Sequence, residues 1–234
     1  MYEVESRVGL DAVGSDGRMQ YDAMLREMVN CASFQTQDNV YDINEMSKKH
    51  RGWFVVSWQV RIHKTPAFCE RLKVQTYPYG FSGFIGKRHF IVLSESGKKL
   101  ITANSLWTWM DLSAARPVRI PDEFVEKFGM DEPPQEEWPG RKIVVPDELD
   151  SAFSFTVSPM FLDTNGHMNN SYYVMAAARC LPADSAVKSF FVEYRKQAMP
   201  DAYVSVKYAK LGDGAICTLC DTDDEIYSVV KFEL

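Results

Sequence analysis

The chain has 234 residues, of which 46% are hydrophobic and 13% aromatic, ample for a buried core in one large domain or two small ones. A formal charge of −6 and a pI near 5.3 argue against nucleic acid as the main partner. No window approaches the roughly 18 uninterrupted apolar residues of a membrane span, and MYEVESRVGL lacks a basic-then-apolar signal pattern, so the cytoplasm is the expected compartment.

The first periodic segment is Tyr21 to Ala32, where Met24, Leu25, Met28, Val29 and Ala32 recur at helical spacing behind a turn containing Gly17. Val56, Trp58, Val60 and Ile62 then alternate with Ser57, Gln59 and Arg61, as in a strand with one covered face, until Pro66 interrupts. Further alternation at Leu72, Val74 and Thr76, at His89, Ile91 and Leu93, and at Ile101 to Trp109 after a Ser94–Gly97 turn predicts an antiparallel meander. Trp53, Trp58, Phe90, Trp107 and Trp109 are core by their strand spacing. Residues 113 to 150 are rich in proline and charge; they read as a linker with a short helix near Glu123 to Phe128.

After the linker the plan starts again. At an offset of 149, Val8, Gly17, Met19 and the helix at 21 fall on Val157, Gly166, Met168 and an apolar run at 170 to 181. At an offset of 131, Val60-Arg61-Ile62 falls on Phe191-Val192-Glu193 and Leu72 on Tyr203. Helix then antiparallel strands, twice, predicts an α+β fold of two antiparallel sheets, each wrapped around its own long central helix that is apolar almost all round. Five cysteines scattered through apolar segments argue for reduced, mostly buried thiols. Cys217 and Cys220 have the spacing of half a zinc site but no second ligand pair, and no Gly-rich phosphate loop is visible, so no metal and no cofactor are expected.

Chemistry concentrates in FLDTNGHMNNSYYV, residues 161 to 174. This is the turn and first residues of the second helix, with Asn170 or Ser171 as the expected N-cap. Free N–H groups and the positive end of a helix dipole favour a developing oxyanion there. His167 can carry a proton, Asn165 or Asn169 can orient it or bind a carbonyl oxygen, and Asp163 can polarise water or the imidazole. The same Asp, Asn and Gly residues also suit a turn with no chemistry at all.

This stretch, Asp163-Thr-Asn165-Gly-His167-Met-Asn169-Asn170-Ser-Tyr172-Tyr173, resembles the signature of acyl-acyl carrier protein (acyl-ACP) thioesterases. Trp58 to Pro66, Lys87-Arg88-His-Phe90, Ser105-Leu-Trp107, Arg116-Pro117-Val-Arg119-Ile-Pro121 and Val192-Glu193-Tyr194-Arg195-Lys196 agree with it. The resemblance implies a tandem double hotdog. An acyl-binding module would span 1–130, a linker 131–150 and a catalytic module 151–234. It implies hydrolysis of the thioester between a fatty acyl chain and the phosphopantetheine arm of acyl carrier protein. Asp163, Asn165 and His167 fall on catalytic positions of the motif; Asn169, Asn170, Trp58 and Arg195 are assigned to substrate binding.

One departure stands out. Plant members read Glu-Cys after the E-Y-R segment, where this chain has Gln197 and Ala198. A cysteine nucleophile at 198 is excluded, and Gln197 cannot be a general base, which leaves Asp163 to activate water while Gln197 holds water or the carbonyl by hydrogen bonds. Cys180, about 13 residues past His167, lies roughly 20 Å along a helix and reads as structural. An acidic carrier needs a basic patch, for which Arg116, Arg119, Arg141, Lys142, Arg195 and Lys196 are candidates. The partner set is therefore acyl carrier protein, without nucleic acid or membrane span, for a monomer or homodimer. The alternatives are an acyl-CoA thioesterase of the same superfamily and a non-catalytic acyl-carrier or fatty-acyl binding protein.

Overall fold

The computed structural model describes residues 1–183 and 185–234. Among the described residues are eleven strands and four α-helices: β1 (Tyr2–Arg7), α1 (Tyr21–Asn39), α2 (Ile43–Lys48), β2 (Arg51–Ile62), β3 (Arg71–Ser82), β4 (Ile85–Ser94), β5 (Lys99–Asp111), β6 (Arg116–Pro117), α3 (Asp122–Phe128), β7 (Asp150–Thr156), α4 (Asn170–Ala178), β8 (Ser189–Tyr194), β9 (Tyr203–Leu211), β10 (Gly214–Cys220) and β11 (Ile226–Glu233). Residues cluster into two compact units, Met1–Met19 with Ala23–Val56 and Ile62–Pro139, and Gln20–Asp22 with Ser57–Arg61 and Gly140–Leu234.

The first unit orders its strands β1-β3-β4-β5-β2, with β6 against β5; the second runs from the Ser57–Arg61 half of β2 through β8-β11-β10-β9-β7. Because β2 belongs to both runs, the hydrogen-bonded path is one large eleven-stranded antiparallel sheet. The helices depart from expectation. The first, α1, has 19 residues and continues past Ala32 because Gln35 and Thr36, polar but buried, find partners in Arg88 and the Ala32 carbonyl. It is one-sided: Met24, Leu25, Met28 and Cys31 are fully buried while Asn30, Phe34 and Gln37 face solvent. The other, α4, is short, nine residues or about 13 Å at 1.5 Å per residue.

An aromatic core in the first unit gathers Trp109, Ile120, Phe124, Phe128 and Val40 around Trp53, Tyr41 and Phe81. In the second unit every residue of β10 is buried, so alternation there gives way to a strand covered on both faces. Cys217 and Cys220 are buried within it, Cys31 is buried in α1, Cys180 is half-buried, and Cys69 is exposed.

The internal repeat is written in the backbone hydrogen bonds. Gly14 N–H donates to Arg18 O at 2.9 Å and Asp163 N–H to His167 O at 2.8 Å, while Val13 bridges Met19 as Leu162 bridges Met168. Val8 and Val157 each accept from a residue with left-handed φ, Cys69 (66°) and Asp201 (62°). Ser6 opposite Leu72 matches Phe155 opposite Val204. The second half therefore repeats at an offset of 132, not 131. The correction matters, since a slip of one residue would turn every strand side chain to the other face.

Candidate active site

The turn at 163–167 is built from its own backbone. Gly166, at φ +78°, takes the left-handed position that spares a Cβ strain, and its N–H donates to Asp163 O at 3.1 Å. Asp163 Oδ1 accepts from Asn165 N–H at 2.8 Å and from His167 N–H at 3.3 Å, so the carboxylate is oriented by two donors. Asn165 is exposed at the tip, and Asp163 and His167 are half-buried.

The helix that follows is capped by Asn169, one residue before the expected Asn170 or Ser171. Its Oδ1 accepts both Ser171 N–H (3.0 Å) and Ser171 Oγ–H (2.9 Å), an acceptor role that only the amide oxygen can fill. Asn170, at the first helical position, keeps a backbone N–H with no acceptor among the described residues; Ser171 and Tyr172 N–H are both taken by Asn169. Replacing Asn169 with alanine is expected to lower the unfolding free energy by about 1 kcal/mol (range ~0.5–2), read by urea denaturation.

Two tyrosines hold this corner together, neither of them marked by the motif as functional. Tyr194 Oη–H donates to Asn170 O at 2.8 Å, and Tyr173 Oη accepts Ala198 N–H at 3.0 Å. Their rings meet edge-on at 5.7 Å. Burial pushes the Tyr194 hydroxyl well above its ordinary pKa and that of Tyr173 up to about 12, so both stay protonated at neutral pH. Ala198 O in turn accepts Met168 N–H at 3.0 Å, which fastens residue 198 to the turn's end and brings Gln197, exposed, into the same corner.

The remaining candidates lie further out. Trp58 is fully buried on β2, in register with Val192 of β8. Arg195 binds Glu193 Oε2 at 3.1 Å and Ile143 O at 3.3 Å, and Ile143 N–H returns to Glu193 at 3.0 Å, so this pair tethers the segment around 143. Desolvation would raise the Glu193 pKa, but Arg195 and the Ile143 N–H outweigh it and hold the carboxyl below its ordinary value. Lys196 is engaged by Asp221 and Glu225, and Arg119 by Asp122. Cys180 sits past the far end of α4, its N–H on Ala177 O, the same carbonyl that Cys217 Sγ reaches at 3.5 Å. No group of three His, Cys, Asp or Glu side chains among the described residues could hold a metal ion. No helix among them is long and apolar enough to cross a membrane.

The first unit supplies an internal control for this site. At matching places in a turn with the same backbone hydrogen bonds it carries Gly14, Asp16 and Arg18 instead of Asp163, Asn165 and His167. The turn therefore forms without the imidazole and with its carboxylate at another place, where Asp16 Oδ1 accepts Arg18 N–H at 2.9 Å.

Residues 1–128 match the family model for the acyl-ACP thioesterase N-terminal domain. The chain is 29% identical over 165 residues to a chloroplastic palmitoyl-acyl carrier protein thioesterase of Cuphea hookeriana, covering 65% of this chain and 40% of that one. It is 29% identical over 171 residues to a chloroplastic dodecanoyl-[acyl-carrier-protein] hydrolase of Cinnamomum camphora, covering 68% and 44%. It spans less than half the length of these curated relatives. An acyl-ACP thioesterase structure from Bacteroides thetaiotaomicron superposes with a TM-score of 0.88 at 20% identity, covering 99% of this chain and 96% of that one. The 12:0-ACP thioesterase from Umbellularia californica gives 0.82 at 21%, again covering 99% and 96%, so the fold is shared end to end.

Proposed function

Because the chain belongs to the acyl-ACP thioesterase family, we propose that it hydrolyses fatty acyl thioesters of acyl carrier protein, releasing the free acid and ending chain elongation. The observation that carries this reading is the internal control: two turns share one backbone hydrogen-bond pattern and each has a carboxylate, yet only the second adds an imidazole and an amide and sets its acid at the first position. Residue types that a turn does not require are residue types available for chemistry.

In this reading the second unit is the catalytic module and the first receives the acyl chain, each a hotdog module with its own helix, α4 and α1. Asp163, held by two backbone donors on one oxygen, accepts the proton of an attacking water through its other oxygen. His167 passes a proton to the departing pantetheine thiolate. The thioester oxygen, as it becomes an oxyanion, takes the open N–H of Asn170 at the positive end of α4, with Asn165 and the Gln197 amide as further donors. Asn169 keeps the helix start in place, and Arg195 braces the segment beside it while serving, with Arg141 and Lys142, the acidic carrier. The plant relatives are chloroplastic; for this chain the proposed compartment is the cytoplasm.

Thiol release from a C8 to C18 panel of acyl carrier protein and coenzyme A thioesters tests the reading. Carrier thioesters are expected to turn over faster, and Asp163→Asn, which keeps the acceptor for both N–H donors but removes the base, is expected to lower kcat by about 10²–10⁴. Equal rates on coenzyme A thioesters would move the protein to the acyl-CoA class. No turnover by the native chain, with carrier binding retained, would make it a binding protein.

A further inference from the structure

The first unit contains a cavity of about 50 Å³ that no step of the proposed hydrolysis uses, lined chiefly by Trp53, Phe81, Trp107, Phe128, Gly86 and Arg88. That is several times the roughly 10–15 Å³ needed to seat one water, so the last few atoms of a chain fit there. Its walls are aromatic, and Gly86 keeps it open: a Cβ at that position would stand 3.3 Å from both Phe81 Cε1 and Trp53 Cζ3.

Arg88 is the anomaly in this apolar place. The residue is only 7% exposed, yet it forms no ion pair with any described residue. Its Nη1 donates to Gln35 Oε1 and to Thr76 Oγ1 (3.1 Å), both neutral, and its carbon lies 5.4 Å from the Phe128 ring centroid. Cys31 and Tyr41, the ionisable groups that act on it, are themselves pushed up by burial and carry no charge at pH 7. Burial draws the Arg88 pKa down to about 10, which still leaves it protonated. A buried cation with only neutral hydrogen-bond partners is a costly arrangement unless something anionic completes it, and a guanidinium fork matches a carboxylate two oxygens to two N–H groups.

We propose that this cavity binds the carboxylate end of an aliphatic chain, with Arg88 as the anion-recognising residue and the aromatic walls holding the adjoining methylenes. The inference deepens the acyl-binding role proposed above for the first unit and rests on it. Two sources share the chemistry: the far carboxyl of a dicarboxylic acyl thioester, and the carboxylate of a released fatty acid.

The test titrates the full chain calorimetrically with octanoate and with 1-octanol, for native, Arg88→Gln, Arg88→Lys and Gly86→Ala protein. The native chain is expected to bind octanoate at least tenfold more tightly than octanol. Arg88→Gln removes that preference, and Gly86→Ala weakens both ligands by filling the space. Should Arg88→Gln fail to fold, Arg88→Lys, a point charge without the fork, still narrows the preference. Turnover of octanoyl against 7-carboxyheptanoyl carrier thioesters separates the sources. A lower KM for the carboxylated chain assigns the site to substrate; a higher one, with octanoate inhibiting turnover, assigns it to released acid. Equal affinity of octanoate and octanol for the native chain, or a preference that survives Arg88→Gln, overturns the inference. Loss of all hydrolysis while octanoate still prefers Arg88 would sink the thioesterase reading and leave this site standing.

Discussion

His167→Arg is expected to lower turnover of acyl carrier thioesters by about 10²–10⁴-fold while the protein stays folded. Arginine is the informative substitute because the molecule already carries it at the equivalent place. Arg18 ends a turn with the same Gly14-to-Arg18 backbone bond, the same Gly17 at positive φ (71°) and the same bridge from Val13 to Met19. There its Nη1 reaches Thr65 O at 3.2 Å, and residue 65 is the counterpart of Gln197 under the offset of 132. A guanidinium at 167 therefore has a known way to fit this turn, but it holds its proton throughout the working range and cannot relay one. Thiol release at saturating substrate gives kcat, and a circular dichroism melt checks the fold. A variant that melts like the native chain yet retains more than a tenth of its turnover would remove His167 from the chemistry.

The same turn shows what the sequence made legible and what it withheld. Gly166, Asp163 and His167 could be read as a turn before a helix because their local chemistry is self-contained: each hydrogen bond that closes it lies within five residues. The meander strands were legible where one face is covered, as at Trp58 and Val60, and the repeat was legible through its glycines. What depends on distant partners was not. The last turns of α1 hide behind polar Gln35 and Thr36, whose burial is sensible only once Arg88 is seen beside them. The cap fell to Asn169 because Phe161 O takes its N–H at 2.8 Å and fixes where the helix begins. The register of the second half was missed by one because the connection between turn and strand is 17 residues shorter there, a length that no local pattern records (offset 149 before it, 132 after it). Counterparts Gly97 and Asp224, both at positive φ, show a further shift to 127 at the next hairpin. The residues of the site were thus open to a motif reading, whereas Tyr173 and Tyr194, which position them, become visible only when β8 lies beside α4.

Trp58→Ala is expected to destabilise the protein by about 3–5 kcal/mol, a large share of the roughly 5–15 kcal/mol that holds a typical domain folded. Trp58 has no exposed surface, and it stands on the half of β2 that pairs with β8, opposite Val192 and two residues from Val60, which faces Phe190. All four are at most 1% exposed, so truncating the indole opens a cavity in close-packed surroundings that can collapse only in part. Urea unfolding measures the loss, and Trp58→Phe, which keeps an aromatic ring in place, should recover most of it. The assignment of Trp58 to substrate binding makes the opposite forecast. A wall of the acyl site would raise KM with a stability change within about 0.5 kcal/mol, as for residues away from the core. If the alanine variant unfolds within about 1 kcal/mol of the native chain while its KM rises severalfold, the indole belongs to the acyl site. If stability falls and KM measured on the remaining folded fraction holds, it belongs to the seam between β2 and β8.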